Sequence, residues 1–76
     1  MFTIQARFGP DREAQLAQVA SLDAAIQAVE RVLGIDGHTV QINASDRKRM
    51  RKVGETLTVA SPRPGSMTKY VIANMG

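Results

Sequence analysis

Six of the seven residues from Asp46 to Lys52 are charged, and five of them are cations: Arg47, Lys48, Arg49, Arg51 and Lys52. Cations at this density can neutralise phosphates or grip a carboxylate-rich surface, and the planar guanidinium of arginine meets either with two parallel hydrogen bonds. The rest of the chain leans the other way. Residues 1–46 carry three cations (Arg7, Arg12, Arg31) against six carboxylates (Asp11, Glu13, Asp23, Glu30, Asp36, Asp46). Residues 47–76 carry seven cations, Arg63 and Lys69 completing the set, against Glu55 alone. A charge split this sharp in 76 residues points to an acidic or polyanionic partner. Arg63 and Lys69 join the candidate contact residues if strand order brings them to the same edge.

No other group of residues forms a chemical constellation. His38 is the one histidine and there is no cysteine, so a conventional transition-metal site and a cysteine nucleophile are both disfavoured. Ser21 is explained as a helix cap. The carboxylates are scattered as helix termini and solvated faces require, and Gly34, Gly37 and Gly54 punctuate separate elements without forming a phosphate-binding loop. The expectation is a binding protein that is not an enzyme and uses no cofactor or metal. Nucleic-acid modules interleave cations with aromatic residues that stack on bases. Here there are only Phe2, Phe8 and Tyr70, and both Phe residues fall on the core face of their strand. Tyr70 reads as core before it reads as a stacking platform.

These cations must be carried by a thin fold. A chain of this length buries only about 60% of its unfolded surface, which sets the expectation of one small domain over residues 1–76. The absence of cysteine suits a reducing cytoplasm. No apolar run approaches the ~20 residues that span a bilayer, and the N-terminus lacks signal-peptide features, so a cytoplasmic protein with no membrane role is expected.

Phe2, Ile4, Ala6 and Phe8 alternate with Thr3, Gln5 and Arg7, the pattern of a half-buried strand, and Gly9-Pro10-Asp11 ends it. Residues 14–20 read as a second strand paired back on the first. A helix running from about residue 11 is the alternative, because Leu16, Val19 and Leu22 would continue an apolar stripe. The clearest helix covers residues 22–33, capped by Ser21, with Leu22, Ala25, Ile26, Val29, Val32 and Leu33 on one side and Gly34 just past its end. Residues 39–43, 56–60 and 69–73 alternate as three further strands. The loop 61–66, with Pro62, Pro64 and Gly65, joins the last two as a hairpin. Residues 47–52 fall between strands as a loop or a short turn of helix. The predicted architecture is α+β: an antiparallel sheet of four or five strands with one helix on one face, in the order ββαβββ.

The strand-to-helix junction Val19-Ala20-Ser21-Leu22, the Ala-rich amphipathic helix behind it, the strand opening Gly37-His38-Thr39-Val40 and the polar hairpin together resemble the small phage-encoded anti-CRISPR proteins, type I inhibitors above all. The likeness is one of layout and covers most of the chain. It implies a non-enzymatic inhibitor, acting in the host bacterial cytoplasm, that docks on a CRISPR surveillance complex and blocks its binding of target DNA. The cations would then grip acidic patches on that complex. Many such inhibitors are acidic, and the net charge of +3 departs from them. The alternative is a non-specific nucleic-acid-binding accessory protein that contacts the phosphate backbone, and a dimer through a sheet edge is open to either.

Overall fold

Clean alternation at the N-terminus produces β1, Phe2–Gly9, which a two-residue connection at Pro10-Asp11 turns into β2, Arg12–Val19. The computed structural model describes residues 1–35, 37 and 39–76, so the expectations for Asp36 and His38 lie outside the described residues. The strand reading of residues 14–20 holds. It starts at Arg12, because so short a connection lets the two strands pair from Gly9 opposite Arg12 to Phe2 opposite Val19. The register slips between Ile4, opposite Ala17, and Gln5, opposite Gln15, leaving Leu16 as the extra residue of a bulge.

Helix α1 spans Leu22–Leu33, as its periodicity predicts. The Ser21 hydroxyl accepts the Ala24 N–H at 3.1 Å, and Gly34 closes the helix in the left-handed region (φ 62°), its N–H donated to the Glu30 carbonyl. Ala25, Ile26, Val29 and Leu33 are buried, and they belong to one core with Ile4 and Ala6 of β1. Two further strands complete the sheet: β3, Thr56–Ala60, and β4, Lys69–Asn74. The order is β2-β1-β4-β3 and every pairing is antiparallel. The two central strands bring Ile4 opposite Ile72 and Ala6 opposite Tyr70, all of them buried. Tyr70 is therefore core.

Two expectations are corrected. Residues 39–43 form no strand, so the sheet has four strands, and a second helix, α2, runs over Ala44–Arg49. Asn43 is the cause. Its Oδ1 accepts the Asp46 N–H at 2.8 Å and caps α2, which turns the chain away before a ladder can form, while the Val40 N–H goes to Glu30 Oε1 at 3.2 Å. Val40 and Ile42 still pack against the core. Their alternation reports burial of every second residue, which an extended segment achieves without sheet pairing. The other correction is Phe8, placed on the core face by its spacing and found 52% exposed. The register slips a second time, from Arg7 opposite Glu13 to Gly9 opposite Arg12, which leaves Phe8 without a partner in β2 and breaks the alternation that would place it on the core face.

Candidate partner-binding surface

The segment carrying the cations is a fixed structural unit. Helix α2 is only six residues long and buries none of its own side chains. What holds it is the residue that follows. Met50, the single apolar residue among the cations, is 1% exposed and lies in the core cluster with Leu57 and Ile72. Its carbonyl accepts the buried Asn74 side-chain N–H at 2.9 Å, and Asn74 Oδ1 in turn accepts the Gly76 N–H at 3.0 Å. The backbone of Asn74 exchanges two further bonds with the following turn: Gly54 N–H donates to the Asn74 carbonyl, and Asn74 N–H to the Glu55 carbonyl. Asn74 thus ties the end of α2 and the turn behind it to β4. Among the described residues it is the only buried polar side chain, and no buried side-chain nitrogen or oxygen lacks a partner.

The seven candidate cations fall into three groups. Arg49 is turned inward. Its Nη1 donates to Glu55 Oε2 at 2.9 Å and to the Thr56 carbonyl at 2.8 Å, and its Nη2 lies 3.4 Å from Asp46 Oδ1. The hydrogen bond to Glu55 comes first among the causes that hold its guanidinium above the ordinary arginine value; partial desolvation opposes it and Asp46 reinforces it. Arg49 therefore stays a cation at every accessible pH. Arg47 pairs with Asp23 at 3.0 Å, joining α2 to the first turn of α1. Arg63 reaches across to the last turn of α1, where its Nη2 donates to the Leu33 carbonyl at 2.9 Å and its charge faces the negative end of the helix dipole.

Lys48, Arg51 and Lys52 form the second group. All three are exposed, and none makes a side-chain hydrogen bond or ion pair with any described residue. They sit on α2 and the turn behind it. Beside them stands Val53, 71% exposed and packed next to Gly76, with Met75 exposed alongside. Lys69 stands alone. It opens β4 opposite Arg7 and Ala60, whereas the turn after α2 meets the other end of that strand at Asn74. Five residues of strand separate the two ends, about 17 Å. The fold therefore does not bring Arg63 or Lys69 to the basic segment.

Two features of this surface escape a reading of the sequence. Met50 looks like a break in a run of cations, and only its place one residue beyond a helix against the sheet makes it an anchor. Asn74 reads as a polar residue at the frayed end of a strand. A faint signal exists for Met50, since one apolar residue in a charged segment must go somewhere. No local signal exists for the tie from Asn74 to the Met50 carbonyl, 24 residues away.

The chain matches no family model, no curated protein and no solved structure. Among the described residues no cluster of His, Asp and Glu could hold a metal ion, and no helix is long and apolar enough to cross a membrane.

Proposed function

We propose that this chain is a non-enzymatic binding protein whose contact surface is the face of α2 and the following turn that carries Lys48, Arg51 and Lys52. One observation carries this reading: three cations with no partner among the described residues are mounted on an element that Met50 and Asn74 fix to the core. A solubilising loop needs no such anchorage. Preorganised cations engage an anionic surface without the entropy cost of ordering a loop.

The partner we propose is an acidic protein surface. Val53, next to Lys52 in the chain, places an exposed apolar side chain beside the cations, which suits a protein interface that mixes apolar and charged contacts. A phosphate backbone offers such a group nothing to bury against. Tyr70 is buried, and the exposed Phe8 follows Arg7 at the Lys69 end of the sheet, away from the Asn74 end where the basic segment docks, so base stacking is not supported. Within acidic protein surfaces, the resemblance of the sequence to small anti-CRISPR proteins, which keeps its strand-to-helix junction and amphipathic helix but not its strand at residues 39–43, makes a type I CRISPR surveillance complex the partner to test first, with block of target DNA binding as the outcome.

The test is capture of purified surveillance complex by the immobilised chain at about 0.15 M salt, beside a duplex DNA of random sequence. The expected result is retention of the complex and its loss in the triple variant Lys48→Glu/Arg51→Glu/Lys52→Glu. Retention of DNA alone, weakening with salt, would transfer the assignment to a nucleic-acid accessory protein. Binding of either that survives the triple variant would remove this face from consideration.

A further inference from the structure

The carboxylates of α2, of the turn behind it and of the first turn of α1 already have their cations. Asp23 is paired with Arg47 at 3.0 Å, and Asp46 and Glu55 with Arg49 at 3.4 and 2.9 Å. Lys48, Arg51 and Lys52 are left with no counter-charge among the described residues. Val53 continues their surface in a second chemistry. It follows Lys52, is largely exposed, and lies against Gly76, where a Cβ would stand 3.6 Å from Val53 Cγ1. The Gly54 N–H, bonded to the Asn74 carbonyl at 2.8 Å, fixes the backbone beside it. Met75 precedes Gly76, and its N–H donates to the Met1 carbonyl at 2.8 Å, which continues the pairing of Phe2 with Asn74. Met1, Val53 and Met75 are all more exposed than buried, and these ties gather them at one end of the sheet.

We infer that the partner contact joins Val53 and Met75 to the three free cations, and that it recognises an acidic polypeptide segment carrying an apolar side chain beside its carboxylates. The inference rests on the proposed function and adds the chemistry of the partner. Charge complementarity selects the carboxylates, since the cations find none within their own fold. The apolar requirement comes from the side chains that border them. Valine, branched at Cβ, is restricted at χ1 and offers a preset knob, while unbranched methionine adapts to what surrounds it. Neither gains anything from carboxylates alone. An anionic bilayer is the other surface that mixes the two chemistries, but it draws on clusters of about four to eight cations, and three fall short.

Two labelled synthetic peptides of equal charge supply the probe, one built of Glu and Leu and the other with Ser at every Leu. Fluorescence anisotropy measures their affinity for the chain. The Glu–Leu peptide should bind about tenfold tighter, the effect of burying roughly two methylene groups. The double variant Val53→Ser/Met75→Ser removes that advantage and leaves the Glu–Ser peptide unchanged. Should the double variant melt below the parent, Val53→Ser alone carries the comparison. The triple cation variant loses both peptides. Met67→Ser, an exposed apolar position beside Lys69 at the far end of the sheet, changes neither affinity. Equal affinity for the two peptides, or an advantage lost in Met67→Ser and kept in the double variant, would overturn the inference and leave the basic face a partner surface. Binding of neither peptide would remove the acidic-polypeptide reading with it. Phosphatidylserine-rich vesicles that hold the chain while neither peptide binds would assign the face to a lipid surface and overturn the inference equally.

Discussion

Replacing Met50 by alanine tests whether the basic segment is anchored or merely solvated. The side chain is 1% exposed and belongs to the same cluster as Leu57 and Ile72. Truncating a buried methionine to alanine costs about 2–5 kcal/mol, from lost transfer energy plus the cavity left behind. Met50 lies where α2 meets the sheet, and a short helix can settle partly into the gap, so the lower part of that range applies, about 2–3 kcal/mol. At roughly 0.05–0.15 kcal/mol per residue the whole domain has only about 4–11 kcal/mol to lose. In a domain of this size each kcal/mol lowers the melting temperature by about 4–8 °C, giving an expected drop of about 10–20 °C. Thermal melts and urea titrations followed by circular dichroism measure it, with an unchanged urea slope showing that the native and unfolded states are otherwise the same. Met50→Leu conserves most of the volume and should cost less than about 1.5 kcal/mol. Val53→Ala, at a side chain 71% exposed only three residues on, should stay within about 0.5 kcal/mol. If Met50→Ala behaves like Val53→Ala, the segment is a solvated loop and the argument for preorganised cations collapses.

Two other perturbations separate structural from contact roles. Asn74→Ala strands the Met50 carbonyl in a buried setting and should cost about 1–3 kcal/mol in urea unfolding, with faster exchange at the Gly76 amide. An Asn74→Ala protein as stable as the parent would mean that β4 does not hold the end of α2. Arg49→Met uncovers the Thr56 carbonyl and lengthens the open edge of β3 by one position, so concentration-dependent self-association should rise in light scattering. Unaltered scattering would show that Arg49 does not guard that edge.

Much of this fold is legible in the sequence because it is written in local patterns. The helix over residues 22–33 announces itself through its apolar stripe, its serine cap and its terminal glycine, all within a dozen residues. The two-period alternation of β1 and β3 identifies them as strands, the apolar run Tyr70-Val71-Ile72 marks β4, which is buried on both faces, and Pro10-Asp11 and the proline-rich loop place the hairpin turns. The sequence also shows that the cations cluster, since charge needs no partner to be counted. It does not show what each cation does. Arg47, Arg49 and Arg63 are bound to Asp23, Glu55 with Thr56, and Leu33, and those partners are reached only when the chain folds. Residues 39–43 make the same point about strands. Alternation records which side of a segment is buried, whereas a strand also needs a neighbour to bond with, and the Asn43 cap turns the chain into α2 before it finds one. Which cations are left free, which edge is left open and whether a basic run is a loop or a platform depend on contacts between residues far apart in the chain. Only the tertiary structure makes those contacts.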